Sequence, residues 1–185
     1  SMTVALPILS ACGHETCILP TAVLSTHTGG FGKPAVMHLK TELDAFWKHW
    51  KENDISFDAI LVGYLGSATA IEIAEQILSE MLAPGGVSIV DPAMADHGKR
   101  YSGLSEEYSK AMMKLCLQAD VMIPNITEAA LMTGLPFRTE YDESYIRSLL
   151  QGLLDMGCKN IVLTGVSYNE NTTGVVIYED GKYDY

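Results

Sequence analysis

The sequence predicts an α/β fold built on a mostly parallel sheet with helices packed against it. Three observations predict this class. Apolar runs of strand length alternate with segments of helical periodicity along nearly the whole chain. Two of the runs, "AILVGYL" and "NIVLT", are apolar almost throughout, as central strands covered on both faces must be. Alternation of strand and helix also requires crossover connections, which join parallel neighbours.

The elements follow in order. Residues 2–12 read as a helix, with Pro7 a blemish unless it lies in the first turn. "TCILPTAVL" (16–24) is β-branched and apolar, hence a strand, and "STHTGGFGKPA" (25–35) is a loop dense in glycine and hydroxyls. Leu39, Leu43, Phe46, Trp47 and Trp50 recur at helical spacing over 38–52. A strand at 57–65 precedes a helix at 67–82, whose Ile71, Ala74, Ile77, Leu78 and Met81 share one face. "GVSIVD" (86–91) is a strand, 105–119 a helix and 119–124 a short strand. "NITEAALMTG" (125–134) is a helix with Asn125 at the N-cap, Glu128 at N3 and a terminating glycine. A helix at 142–156 and a strand at 160–165 come next, and 173–185 reads as a hairpin with an Asp-Gly turn at 180–181.

Bulk properties narrow the function. A chain of 185 residues is about one domain and can bury a core, roughly 70% of its unfolded surface. Its 48% hydrophobic and 19% charged residues are ordinary for a globular protein. A net charge of −11 argues against a nucleic-acid partner, although a local cluster of amides can still bind an anionic small ligand. The four cysteines, Cys12, Cys17, Cys116 and Cys158, show no zinc spacing. They read as buried, reduced hydrophobes in a cytoplasmic protein. No apolar run reaches the ~18 residues of a membrane span, and no basic leader opens the chain.

Ligands of open α/β sheets sit at the carboxyl ends of the strands. Four such ends are polar here: Ser25-Thr26-His27-Thr28-Gly29-Gly30, Asp91 leading to Asp96, Pro124-Asn125 with Glu128 one turn on, and Thr164-Gly165. Carboxylates, an amide and a hydroxyl on one edge suit a hydrated Mg2+ holding phosphates. Each element also has a plain structural reading: a turn after a strand, a helix cap, a flexible connection. His14 and His97 read as solvated or cap-like, and Tyr101, Trp47 and Trp50 as packing residues. The functional reading rests on the polar residues falling at corresponding strand ends.

"LPTAVLSTHTGGFG" (19–32), "GYLGS" (63–67), "VDPAMADHGKRY" (90–101), "PNITEA" (124–129) and "VLTGVS" (162–167) resemble the pyridoxal/pyridoxamine kinases of the ribokinase-like superfamily, over essentially all 185 residues. The resemblance implies a ribokinase-like three-layer α/β/α fold with a mostly parallel central sheet, usually dimeric. It implies transfer of the γ-phosphoryl of ATP to the 5′-hydroxymethyl group of a B6 vitamer, with Mg2+ as cofactor and a monovalent cation as an option beside it. Thr28, next to His27, matches the threonine at the pyridine ring, and Tyr101 an aromatic of the lid-like loop over the substrate. Asp91 and Asp96 match the two aspartates near phosphates and cations. Asn125 and Glu128 match a pair whose glutamate organises Mg2+ through water, and Thr164 lies on the nucleotide side. The glycine usual within the aspartate motif is Ala95 here, which costs little only if its backbone keeps a negative φ.

Such kinases carry their catalytic base in a GTGD motif, which occurs nowhere in these 185 residues. The resemblance therefore implies that 1–185 is a single, incomplete kinase domain without a first strand or a catalytic residue of its own, and inactive by itself. The rivals are a hydroxymethylpyrimidine kinase of the same fold and a non-catalytic nucleotide- or vitamin-binding protein. A Rossmann dehydrogenase is disfavoured, since no GxGxxG follows a first strand.

Overall fold

The computed structural model describes residues 2–26, 31–169 and 171–185. In chain order the elements are α1 (Met2–Ala11), β1 (Ala22–Leu24), β2 (Val36–His38), α2 (Lys40–Glu52), β3 (Phe57–Val62), α3 (Ala68–Met81) and β4 (Leu82–Val90). There follow β5 (Ala95–Asp96), β6 (Lys99–Arg100), α4 (Glu106–Gln118), β7 (Val121–Met122), α5 (Ile126–Thr133), α6 (Glu143–Asp155), β8 (Asn160–Asn169), β9 (Thr172–Glu179) and β10 (Lys182–Asp184). The helices start where the sequence places caps. Ser67, Ser105, Asn125 and Asp142 each accept a backbone N–H from the first turn of α3, α4, α5 and α6.

Six strands form the central sheet in the order β10-β9-β8-β7-β4-β3. The four from β3 to β8 run parallel, and β9 and β10 add antiparallel at one side. The fold class is thus the expected α/β class with a mostly parallel sheet. At the β9–β10 turn Asp180 and Gly181 both take positive φ, 49° and 79°, the turn type that suits the strand twist.

The two faces of the sheet are covered unequally. The parallel strands are added in one direction, so right-handed crossovers carry their helices to one side. On that side Val90, Met122, Ile161 and Leu163 are sealed beneath Ile71, Met112, Leu115 and Leu149. On the opposite side, Leu61, Val87, Val175 and Ile177 remain 45, 40, 37 and 39% exposed. The register explains the split, because Leu61 pairs with Ile89 and Val62 with Val90, placing alternate residues on alternate faces.

Two expectations need correction. The strand expected over 16–24 is only Ala22–Leu24, and it pairs antiparallel with β2 in a separate two-stranded sheet rather than joining the central one. Pro20 supplies no N–H to a ladder, and the ribbon is held to the sheet by Thr21 Oγ1 donating to the Tyr64 carbonyl (3.0 Å). The cysteines also divide. All four are free, but only Cys116 and Cys158 are buried, while Cys12 and Cys17 are exposed at and beyond the end of α1, a helix with no buried residue. Among the described residues no helix is long and apolar enough to cross a membrane.

One polar clasp ties the sheet together before β7. Asp120 Oδ2 accepts from both the Ser88 backbone N–H (3.0 Å) and Oγ (2.7 Å), Oδ1 accepts from Lys159 Nζ (2.8 Å), and Asn160 Nδ2 donates to the Asp120 carbonyl (3.0 Å). The Lys159 ammonium and the Ser88 donors hold the Asp120 carboxyl down at about 2. A depressed carboxyl contributes stability above its ordinary value of 3.8 and loses it as pH falls toward about 2. Asp120→Ala should therefore cost about 1–2 kcal/mol at pH 7, after discounting the half-exposed lysine pair. Urea unfolding of both proteins at falling pH should show the difference shrinking between pH 4 and 2.

Candidate active site

The carboxyl ends of the parallel strands meet along one edge. Asp91 N–H continues the β3–β4 pairing by donating to the Val62 carbonyl (2.8 Å), and Ile123 N–H donates to that of Val90 (2.9 Å). Thr164 N–H donates to the Pro124 carbonyl (2.8 Å), and Asn125 bridges to Thr164 in parallel register. Pro92, with no N–H, stops the β4 ladder one residue after Asp91. The chain then turns through Ala93 at φ 39°, held by Ala93 N–H donating to Asp91 Oδ1 (3.0 Å).

That turn aims the next two amides at Glu128. Its Oε1 accepts from Met94 N–H (2.8 Å) and Ala95 N–H (3.3 Å), and its Oε2 from Asn125 N–H (2.9 Å). Asn125 Oδ1 in turn accepts from Glu128 N–H (3.0 Å), closing the capping box, while Asn125 Nδ2 donates to the Ala95 carbonyl (2.8 Å). Both residues thus start α5 and grip the loop after β4. Ala95 is buried in β5 and is not among the residues of positive φ, so its Cβ is tolerated; the positive φ falls on Ala93 instead.

Burial sets the electrostatics. Glu128 is 1% exposed, and that burial pushes its carboxyl up to about 7 against the pull of its amide donors, with the Asp91 charge adding to the rise. Asp91 is raised as well, again by burial. The Tyr101 phenol is pushed up to about 12, first by burial and then by the charges of Glu128, Asp96 and Asp91. Tyr101 therefore lies in the field of all three acids, with its N–H on the Met94 carbonyl (2.9 Å).

The structure brings Asp91, Asn125, Glu128, Thr164 and Tyr101 to one edge. Asp96, in β5, has its side chain about half exposed, and its Oδ1 accepts the N–H of His97 (2.7 Å). Thr164 Oγ1 lies 3.3 Å from the Pro124 carbonyl, to which it donates. His27 and Thr28 lie outside the described residues. The amides of Met94 and Ala95 were not marked by any side-chain signal in the sequence. Thr127, whose Oγ1 accepts from Gly98 N–H (3.0 Å), is signalled only by its place in "NITE".

The donor set fits a hydrated cation and not a closed cage. Among the described residues no three or more of His, Cys, Asp and Glu cluster as a metal site. Glu128 Oε1 already takes two amides, and Oε2 one, which leaves Oε2 a lone pair for a water. No described residue donates to Asp91 Oδ2. One carboxylate oxygen without a donor among the described residues and one oxygen with a lone pair for water suit Mg2+ that keeps its waters and binds phosphate.

A sequence profile of the phosphomethylpyrimidine kinase family matches residues 9–184. A hydroxymethylpyrimidine/phosphomethylpyrimidine kinase of Haemophilus influenzae is 29% identical over 170 residues, covering 88% of this chain and 60% of that protein. A pyridoxal kinase from Lactobacillus plantarum superposes with a TM-score of 0.83 at 37% identity, over 100% of this chain and 66% of that one. A Bacteroides thetaiotaomicron protein described as a phosphomethylpyrimidine kinase, crystallised with pyridoxal, superposes with a TM-score of 0.90 at 33% identity, over 99% of this chain and 65% of that one. The chain thus spans 60 to 66% of the length of these relatives.

The raised Glu128 carboxyl gives a test. Between its ordinary 4.5 and about 7 the folded chain holds a proton that the unfolded chain has lost. Stability should therefore fall as pH rises through that window, by at most about 1.4 kcal/mol per pH unit. Glu128→Gln should flatten the slope and, at pH 5, lower stability by about 1–3 kcal/mol. An amide nitrogen cannot accept from the N–H groups that a carboxylate oxygen serves. Urea midpoints from pH 5 to 8 check both effects.

Proposed function

Because this chain belongs to the phosphomethylpyrimidine kinase family, we propose that its site serves Mg2+-dependent transfer of the ATP γ-phosphoryl group to the 5′-hydroxymethyl group of a B6 vitamer. The observation that carries the reading is the pairing of Asp91 and Glu128 at the carboxyl edge of the sheet. Both carboxyls are raised by burial, and the Asp91 charge adds to the rise at Glu128. Such a pair favours a cation, and the Mg2+ of a magnesium–polyphosphate complex would supply one.

Phosphoryl transfer asks for positioning and charge neutralisation more than for covalent chemistry. Mg2+, when bound, would neutralise phosphate charge as the bond to the leaving oxygen breaks. Asp91 would hold it through Oδ2, Glu128 through a water on Oε2, and Asp96 from the β5–β6 hairpin. Asn125 and Thr164 would border the nucleotide. His27, Thr28 and Tyr101 would face the vitamer ring. The proton of the attacking hydroxyl needs a base that none of these residues provides.

Two features support the B6 reading: the "HTGGFG" loop, and the 37% identity to a pyridoxal kinase. Hydroxymethylpyrimidine is the second candidate, supported by the family profile and the Haemophilus influenzae relative. Both are hydroxymethyl groups on a nitrogen heteroaromatic ring, so direct competition between them decides. A monovalent cation beside Mg2+, a homodimeric assembly and a cytoplasmic location belong to the same proposal.

Asp91→Asn should weaken MgATP binding at least about tenfold while leaving the fold intact. The amide keeps an oxygen for Ala93 N–H but replaces the second oxygen with an NH2 group and loses the charge, both of which a Mg2+ ligand needs. Titration calorimetry with and without EDTA tests this, and nucleotide binding indifferent to Mg2+ would overturn the reading. The 185-residue chain alone should phosphorylate pyridoxal slowly or not at all, since a positioned base contributes about 10²–10⁴-fold. Turnover at the rate of an ordinary small-molecule kinase, from a sample of verified mass, would show that the base is misassigned.

A further inference from the structure

The β5–β6 hairpin has two residues in each strand, too few to hold itself in water. Its position comes from the first turn of α5. At its base, Ala95 gives its N–H to Glu128 and receives Asn125 Nδ2 on its carbonyl. At its tip, Gly98 N–H donates to Thr127 Oγ1 at 3.0 Å. A hydroxyl in a first helical turn ordinarily bonds within its own segment or to water. This one is 3% exposed and serves a residue 29 positions earlier in the chain.

The tip is fixed from a second side. His97 and Gly98 turn with φ of 49° and 74°, and a Cβ at Gly98 would stand 2.7 Å from Cδ1 of Phe137. The ring thus rests directly on the glycine. A cleft of about 280 Å³, bordered by Gly98, Thr127, Leu131 and Phe137, lies beneath, so the tip has space to shift if either contact is lost.

We propose that Thr127 is a positioning residue: its hydroxyl, with the Phe137 ring, latches the tip of the hairpin and thereby sets Asp96 and the Tyr101 backbone at the phosphate edge. The proposal rests on the reading of that edge as a metal–nucleotide site. Three groups of one helical turn then work together. Asn125 and Glu128 hold the base of the hairpin, and Thr127 holds its tip.

The test uses Thr127→Val, which keeps the shape and removes the acceptor, and Thr127→Ser, which restores the hydroxyl. Gly98→Ala drives a methyl into Phe137. Amide hydrogen exchange by NMR should speed roughly three- to tenfold across Asp96–Tyr101 in Thr127→Val and Gly98→Ala, and stay at the parent rate in Thr127→Ser. The Kd for the magnesium complex of a non-hydrolysable ATP analogue should rise by a similar factor in the first two variants only. Unchanged exchange in Thr127→Val overturns the latch, even if thermal stability falls. Faster exchange with an unchanged Kd overturns the positioning role. If the parent chain binds no magnesium nucleotide, the kinase reading fails, and the exchange rates alone decide the latch.

Discussion

A single carboxylate organises the ligand edge of this protein. Glu128 is withdrawn from water and accepts three backbone N–H groups, two from the turn after β4 and one from the start of α5. A buried charge without partners would cost several kcal/mol. Those three donors are what makes the position tenable, and they come from segments about thirty residues apart in the chain. The turn after Asp91 and the first turn of α5 are therefore one mechanical unit. Any change at Glu128 reaches both, so effects on chemistry and on folding at this residue have to be separated by measurement.

The same packing keeps two acids together that would be more easily accommodated apart. Burial makes both acids reluctant to ionise, the Asp91 charge adds to that reluctance at Glu128, and the Tyr101 phenol feels them both. A site of this kind is preorganised for a cation: its dipoles and carboxylates are already fixed by the strand ends and the helix cap, and little reorganisation remains when a ligand arrives.

The central sheet and the capped helices were legible in the sequence because their signals are periodic or local. The run "FDAILV" is an apolar run of strand length and forms β3 at the edge of the sheet, and Asn125 with Glu128 three residues on forms the capping box its spacing suggests. The location of Asp91, Asn125, Glu128 and Thr164 on one edge followed from the rule for strand ends. What escaped had no such signal. Strands of two residues, as in β5 and β6, show no alternation. The apolar run around Ala22 reads the same in a free ribbon as in a central strand. The partners of Glu128 are backbone amides, which every residue except proline carries. Cys12 and Cys17 looked buried because their neighbours are apolar, yet they are exposed and no described residue of α1 is buried.

The unequal covering of the sheet has a thermodynamic consequence. Leu61, Val87, Val175 and Ile177 already meet water in the folded chain, so unfolding adds less new apolar hydration than the length of the chain suggests. The heat-capacity increment of unfolding should then fall below the usual ~12–15 cal/mol/K per residue, and the urea m-value should be correspondingly shallow. A flatter stability curve results, with its maximum less sharply placed in temperature. Any ligand or partner that shielded this face would steepen the curve, so calorimetry would register its covering even where no new enzymatic signal appeared.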